Sequence, residues 1–280
     1  MSYRQLAQKL DLSVTAVHNR IQNLIELGII RKFTTRLSLV AKNGIHVLVF
    51  GTSRISSMRD LNPKLEKNGL IYWLAVGGGN VLYIGANLRN IAELDSLARF
   101  VKEAAGIPEP TVAITTSPVP PGLFHLKIDP TLCELDYKIV SSMKDNSRKP
   151  TSQVAEELGV STKTVRRRLS RMQKNFLVVF SMDWYPDASN DIMSVFHVKL
   201  KSEADANAPT VILQKHCPNI LFYWGFGNLP GDYLFLAWTP TAKELREIRE
   251  SLEQEPAVQS VTPNILYTGY IFPTWIDEIP

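Results

Sequence analysis

The sequence predicts an α+β chain in which two winged helix-turn-helix modules alternate with two ferredoxin-like (ACT-like) β-α-β-β-α-β modules. Three observations support this prediction. An internal repeat aligns the two halves, each half contains two short helical patterns joined by a tight turn, and each continues into alternating strand and helix patterns. We expect helix-turn-helix modules at 1–36 and 131–184, ferredoxin-like modules at 44–117 and 190–272, and a linker at 118–130.

The internal repeat is visible at two shifts. A shift of 148 residues aligns LAQKLDLSVTAVHNR from Leu6 with VAEELGVSTKTVRRR from Val154, with five identities in fifteen positions. A shift of 151 residues aligns further residues of the later segments, namely Trp73 with Trp224 and His46 with His197. Repetition at a fixed shift indicates duplicated modules.

In the second helix-turn-helix module, apolar spacing predicts a first helix over Thr131–Asp145 and a second helix opening at Thr151. Gly159 suits a left-handed helix C-cap, and Ser161 suits the N-cap of a third helix. The β-branched run Leu177–Phe180 then predicts a wing strand. The first copy has its third helix over 14–25, but the equivalent of the first helix would precede residue 1. We therefore expect either a start upstream of Met1 or a marginally stable first module.

The third helix of the second copy is strongly basic. It presents six cations with no acidic residue between them, which are Lys163, Arg166, Arg167, Arg168, Arg171 and Lys174. A charged face is often merely solvated, but a recognition helix is the element that enters a DNA major groove. We predict that these six contact DNA together with Ser161 and Thr162, and that Arg168→Ala with Arg171→Ala flattens the salt dependence of binding.

The corresponding helix of the first copy is polar rather than cationic. Its predicted DNA contacts are Ser13, His18, Asn19, Arg20 and Gln22. Asn and Gln suit adenine, whereas Arg and Lys suit guanine and phosphates, so the two helices should prefer different bases. Contact with backbone phosphates alone is the other interpretation. The charge distribution agrees with two DNA-binding segments, because residues 1–32 carry a net +3 and residues 144–178 a net +6 in a chain whose total is +4.

The ferredoxin-like modules follow from alternating strand and helix patterns. In the first copy we predict strands at 45–52, 70–76, 81–86 and 111–116, with helices at 57–67 and 91–104. The first strand is apolar on both faces, which predicts helices on one face of the sheet and a second sheet on the other. The glycine-rich turns are hairpins rather than phosphate loops, although Gly79, Asn80, Gly231 and Asp232 are weak candidates for effector binding.

Candidate catalytic groups are few. His216 and Cys217 are neighbours without a nucleophile geometry, and the duplicated His46 and His197 suit structural roles in strands. Two cysteines, 84 residues apart, are too few for a zinc cluster or a disulfide framework. No apolar run reaches the roughly 18 residues of a membrane span. We expect a cytoplasmic protein that is not an enzyme, with no metal, no cofactor and no membrane partner.

The segments LAQKLDLSVTAVHNRIQNLIELGII and ELDYKIVSSMKDNSRKPTSQVAEELGVSTKTVRRRLSRMQKNFLV, each followed by a β-α-β-β-α-β pattern, resemble the leucine-responsive/AsnC (feast/famine) transcriptional regulators. The resemblance implies DNA binding through the third helix, and dimerisation and binding of a small effector such as an amino acid through the ferredoxin-like module. This chain departs from the family by carrying two copies of each module. Its glycine-aspartate turn is recognisable only as Gly231–Asp232, with Gly79–Asn80 in the first copy.

These inferences predict a regulator that binds double-stranded DNA sequence-specifically and responds to a small-molecule effector. The alternative is an enzyme like the siroheme decarboxylases, which resemble this family and keep a helix-turn-helix that no longer binds DNA. The six cations on one helix argue against this alternative, because a surface that does not bind DNA has no reason to keep that charge density. We also predict that the two ferredoxin-like modules stack as a pseudo-dimer within the chain. A homodimer that exchanges these modules between chains is the other arrangement.

Overall fold

The computed structural model describes residues 2–55, 57–116, 130–185 and 188–278. The first helix-turn-helix module consists of helices α1 (Tyr3–Leu10) and α2 (Val14–Glu26) and strand β1 (Ile30–Leu37), followed by the short helix α3 (Leu39–Lys42). The second consists of helices α6 (Glu134–Met143), α7 (Thr151–Glu157) and α8 (Thr162–Lys174) and strand β6 (Val178–Trp184). These elements have the order of a winged helix-turn-helix in both halves.

The turn between α7 and α8 has the caps that its sequence predicts. Gly159 adopts a φ of 64° after α7, a conformation that favours glycine. The Ser161 side chain accepts a hydrogen bond from the Thr164 amide at the start of α8. Helix α6 begins at Glu134 rather than at 131, because the Asp136 side chain accepts a hydrogen bond from the Cys133 amide and fixes the helix start there.

The ferredoxin-like elements follow in the predicted order. The first set is β2 (Ile45–Thr52), α4 (Met58–Glu66), β3 (Ile71–Gly77), β4 (Val81–Leu88), α5 (Glu93–Ala104) and β5 (Thr111–Ile114). The second is β7 (Ile192–Leu200), α9 (Ala208–Lys215), β8 (Ile220–Gly225), β9 (Asp232–Thr239), α10 (Ala242–Glu253) and β10 (Val258–Ile271). Their strands form one antiparallel sheet of eight, in the order β5-β2-β4-β3-β10-β7-β9-β8.

Each half of this sheet carries an apolar cluster on each of its two faces. One face of the first half packs on α4 and α5 through a cluster that includes Leu61 and Leu97, and the equivalent face of the second half packs on α9 and α10. The opposite faces meet each other in a cluster that includes Leu48, Tyr83 and Val195. The apolar residues on both faces of β2 are thus explained by helices on one side and by strands of the other half on the second side.

The two helix-turn-helix modules are joined by their wings. Strands β1 and β6 pair antiparallel as a separate two-stranded ribbon. Phe33 faces Met182 and Thr34 faces Ser181, and the residues 148 positions after Phe33 and Thr34 are Ser181 and Met182. Exchanging the two copies therefore leaves the pairing of β1 with β6 unchanged. Helices α2 and α8 accordingly lie in equivalent positions on either side of the centre of the ribbon.

A second contact holds the helix-turn-helix modules together. The Arg148 guanidinium lies over the rings of Tyr3 and Phe33, at 4.6 and 3.8 Å from their centroids, and donates a hydrogen bond to the Tyr3 hydroxyl. Lys32 forms an ion pair with Asp145 at 2.8 Å. These contacts fix the relative placement of the two modules. The predicted linker 118–130 lies, except for Pro130, outside the described residues.

Candidate functional site

Helix α8 displays a continuous basic stripe. Its buried side chains, Val165, Leu169 and Met172, pack in the core of the second helix-turn-helix module. The opposite side leaves exposed four of the six cations, which are Lys163, Arg166, Arg167 and Lys174. Arg166 and Arg167 follow Lys163 by three and four residues, and Lys174 follows Arg167 by seven, so these cations share one helix face. Thr162 and the N-cap Ser161 lie at the start of this face.

Arg168 and Arg171 lie on the side of α8 that faces α6. Arg171 Nη2 lies 2.7 Å, and Arg168 Nη1 3.4 Å, from Oδ2 of Asp136, a carboxylate with a completely buried side chain. Arg171 also donates to the Thr131 carbonyl oxygen at 2.9 Å. The two arginines therefore neutralise a buried charge and attach α8 to α6, an internal role that the basic pattern alone does not reveal.

Helix α2 presents a polar surface in the equivalent position. The Ser13 side chain accepts a hydrogen bond from the Ala16 amide as the N-cap of α2. The predicted DNA-contacting residues of the first module are exposed, except for the partly buried Gln22, and comprise Ser13, His18, Asn19 and Arg20. The His18 ring packs on the Tyr3 ring with centroids 5.4 Å apart. This surface offers amide groups and one guanidinium where α8 offers four exposed cations.

The glycine-rich turns are hairpin connections, as predicted. Gly79 and Asn80 adopt φ values of 67° and 57°, and Gly231 adopts a φ of 81°. The amide at Gly78 donates to the Oδ1 atom of Asn264 at 2.6 Å, so part of the first turn is already occupied by the chain's other half. Asp232 is the first residue of β9 after the second turn, with Oδ2 3.8 Å from the Lys199 Nζ atom. Effector binding at these turns stays a prediction.

A large cavity separates the β1–β6 ribbon from the eight-stranded sheet. It has a volume of about 750 Å³ and is lined by residues of both ribbon strands, of α3 and of strands β3, β8 and β10. Its walls include the aromatic side chains of Trp73, Trp184, Trp224 and Tyr267. The patterns in the sequence do not predict this cavity. The one nearby sequence feature that points to it is the apolar character of β6, in which Val179 and Met182 are exposed.

His46 borders the cavity and has both ring nitrogens hydrogen-bonded. The Thr115 hydroxyl donates to the His46 carbonyl oxygen, which leaves Thr115 Oγ1 to accept from His46 Nδ1 at 2.9 Å. His46 Nε2 then accepts from the Tyr72 hydroxyl at 2.9 Å. Burial lowers the pKa of His46 to about 4, so its imidazole is neutral at pH 7. This arrangement suits a fixed hydrogen-bonding group.

His197 has a similar role in the other half of the sheet. Its Nε2 atom lies 2.7 Å from the Tyr83 hydroxyl, and burial lowers the pKa of this histidine. His216 Nε2 lies 3.2 Å from the Glu255 Oε1 atom. Within the described ranges no group of three His, Cys, Asp or Glu side chains could hold a metal ion. In the same part of the chain, no helix is long and apolar enough to cross a membrane.

Two family models match the helix-turn-helix segments. Residues 133–173 match the AsnC-type helix-turn-helix domain, and residues 1–31 match a winged helix-turn-helix DNA-binding domain. The predicted resemblance to AsnC-type regulators and the predicted α+β class with winged helix-turn-helix modules are thereby confirmed. None of the curated proteins matches this sequence.

Solved structures share the fold at low sequence identity. The siroheme decarboxylase NirDL is 14% identical with a TM-score of 0.60, and the comparison covers 99% of this chain and 88% of that chain. A NirDL complex with an iron-uroporphyrin III analogue gives 15% identity and a TM-score of 0.56 over the same shares. AsnC from E. coli is 15% identical over 52% of this chain and 99% of that chain, with a TM-score of 0.42. This chain therefore has the fold of NirDL along almost its entire length.

Proposed function

We propose that this protein is a transcriptional regulator that binds double-stranded DNA sequence-specifically through its two helix-turn-helix modules. The observation that carries the proposal is the exposed basic stripe of α8, formed by Lys163, Arg166, Arg167 and Lys174 within a segment that matches an AsnC-type helix-turn-helix domain. A stripe of like charges on one helix is self-repulsive, and a phosphate backbone lying against it relieves that repulsion. The caps at Gly159 and Ser161 fix the turn before α8, and a recognition helix in a helix-turn-helix follows such a turn.

The second part of the proposal concerns how the two modules act together. The β1–β6 ribbon relates α2 and α8 by an approximate two-fold axis, and Arg148 ties the modules to each other. A single chain then presents two recognition helices as a pseudo-dimer, without a partner chain. Because α2 offers Asn19 and Gln22 where α8 offers cations, the operator is asymmetric, with half-sites centred about 10 base pairs or a multiple apart. A small-molecule effector modulates this binding.

A salt titration tests the DNA-binding surface. Duplexes are first selected from a random pool by the intact protein, and affinity for the best duplex is measured by fluorescence anisotropy between low and moderate salt. Each neutralised phosphate contributes about −0.9 to the slope of log affinity against log salt. We expect Arg166→Ala combined with Arg167→Ala to weaken binding and to reduce the slope by up to about 1.8.

The matched control removes two arginines from α10, as Arg246→Ala with Arg249→Ala. Both are half-exposed and pair with glutamates on their own helix, so net charge changes equally while α8 is intact. The control should bind DNA with the wild-type slope. If both double variants change the slope equally, or if no selected duplex binds more tightly than random DNA, the proposal is wrong.

A second candidate function is decarboxylation of a tetrapyrrole such as siroheme. It is favoured by the fold shared with NirDL over 99% of the chain and by a cavity large enough for a planar macrocycle. The charges of the cavity oppose it. Among the described lining residues Arg36 is the one Lys or Arg, and it already pairs with Asp183 and Asp277, whereas a polycarboxylate requires free cations.

Direct incubation with siroheme separates the two functions. In a decarboxylation, a bond between the acetate carbon and its carboxyl carbon breaks, CO₂ leaves and a proton takes its place on the carbon. We expect no change in the tetrapyrrole absorbance spectrum and no loss of CO₂ by mass analysis. Turnover of siroheme would make the protein an enzyme and overturn the proposed function.

A further inference from the structure

The cavity between the ribbon and the sheet has the lining of a binding site for an aromatic ligand. Trp73 and Trp224 stack with their ring centroids 5.8 Å apart, and Phe222 meets the Trp224 ring edge-on at 4.8 Å. Trp184 of the ribbon strand β6 stacks on Trp238 of the sheet strand β9 at 5.7 Å. Trp73, Trp184 and Trp224 thus present flat aromatic rings to the cavity, and such rings favour planar aromatic molecules.

Large apolar side chains at this cavity remain exposed. Met182 is 40% exposed, Phe222 38% and Tyr267 65%, and all three line the cavity. Exposed apolar groups that converge on a concave surface mark a ligand site more often than a free surface. The cavity thus combines aromatic walls with exposed apolar side chains.

The charged residues determine which aromatic ligand fits. Those among the described lining residues are Arg36, Asp183, Asp191 and Asp277. Arg36 lies 3.1 Å from Asp183 and 3.5 Å from Asp277, and Lys32 lies 3.6 Å from Asp183, so these four charges already balance one another. The Asp191 carboxylate accepts a hydrogen bond from the Trp238 indole at 2.7 Å but has no Lys or Arg within ion-pair distance among the described residues. The lining therefore carries an excess of negative charge, which repels anions and attracts cations.

We propose that this cavity binds a planar aromatic ligand that is uncharged or cationic, and that this ligand is the effector of the protein. The effector role rests on the proposed function. Strand β1 begins four residues after α2 ends, and β6 begins four residues after α8 ends. A ligand held between ribbon and sheet contacts β1 and β6, the strands that follow the two recognition helices. A ligand that binds one position of the ribbon more tightly than another shifts the ribbon toward that position, and this changes the spacing of the two helices.

Tryptophan fluorescence tests the site in the absence of DNA. The titrants are proflavine, a planar aromatic cation, and anthracene-9-carboxylate, a planar aromatic anion, each added to the intact protein. We expect saturable one-to-one quenching by proflavine, because three tryptophans line the site, and at least tenfold weaker binding of the anion. Equal affinity for both probes, or non-saturable quenching by both, would contradict the proposal.

Two variants of one rim residue provide the matched control. Met182→Lys and Met182→Glu place opposite charges at the same exposed position with side chains of similar length. Charges a few ångströms apart near a protein surface interact enough to change affinity several-fold, so Met182→Lys should weaken proflavine binding about threefold to tenfold. Met182→Glu should bind it at least as tightly as the wild type. Identical affinities in both variants, with unchanged thermal melting, would show that the probe binds elsewhere.

A final measurement distinguishes the site from its regulatory role. The affinity of the selected duplex is measured by anisotropy with a second ligand, neutral acridine, because proflavine itself intercalates into DNA. A change of at least threefold that Met182→Trp reduces by narrowing the cavity supports the effector role. Saturable probe binding without any DNA binding would overturn the proposed function but not the binding site. DNA affinity that is unchanged at a saturating acridine concentration would overturn the effector role.

Discussion

Asp136 offers the sharpest test of how the second helix-turn-helix module is held together. Its side chain is completely buried and accepts hydrogen bonds at Oδ2 from Arg171 at 2.7 Å, from Arg168 at 3.4 Å and from the Cys133 amide at 3.0 Å. The two arginine side chains are 31% and 29% exposed, so water can rehydrate them when the carboxylate is removed. Asp136→Asn keeps the shape and the amide cap but loses the charge.

The expected cost follows from these contacts. A hydrogen bond to a charged group contributes roughly 1.5 to 3 kcal/mol, and the shorter contact with Arg171 dominates. Partial rehydration of the arginines keeps the loss near the lower end, at about 2 kcal/mol of opening free energy for α8. Since each 1.4 kcal/mol is tenfold, amide hydrogen exchange within α8 should accelerate about thirtyfold.

Hydrogen exchange is the suitable assay because a chain of several modules does not unfold in one step. The matched control is Asp95→Asn, which removes a carboxylate that is 78% exposed and pairs with Arg99 on α5. Exposed pairs contribute little, so the control should leave exchange within about twofold. If Asp136→Asn also leaves α8 exchange within twofold, the buried carboxylate does not hold α8 on α6 and the reasoning fails.

Two further predictions concern other parts of the chain. Burial lowers the pKa of His46 to about 4 from 6.5, so the unfolded chain binds more protons between these values. The free energy of unfolding should therefore be about 2 kcal/mol lower at pH 5 than above pH 6.5. Calorimetry under these two conditions should show a smaller difference in His46→Gln. Arg148→Ala removes the guanidinium from between the Tyr3 and Phe33 rings and should accelerate amide exchange in α1 several-fold, whereas Arg148→Lys should accelerate it less.

The sequence predicts those features that depend on neighbouring residues. The caps at Gly159 and Ser161 and the spacing of Val165, Leu169 and Met172 place the helix-turn-helix within a few residues. The alternation and two-sided apolar pattern of β2 likewise predict its burial between helices and strands. Each of these signals lies within about fifteen residues, where helix and strand periodicity is informative.

Other features depend on residues that are distant in the sequence. Arg171 and Asp136 are 35 positions apart, and Phe33 and Met182 pair across slightly more than half of the chain. Neither contact has a local signature, because a basic helix face gives the same pattern whether its arginines meet a phosphate or a buried carboxylate. The cavity is formed by a ribbon and a sheet from both halves, so no single segment could predict its aromatic walls.

Hydroxyl-radical footprinting tests the central claim most directly, namely that one chain reads DNA with two unlike recognition helices. The intact protein is bound to its selected duplex at concentrations where light scattering shows a monomer. We predict two protected segments of different sequence, spaced by about 10 base pairs or a multiple, and loss of protection at only one of them in Arg166→Ala with Arg167→Ala. A perfectly palindromic footprint that requires a dimer, or no protected segment at any salt concentration, would contradict the account.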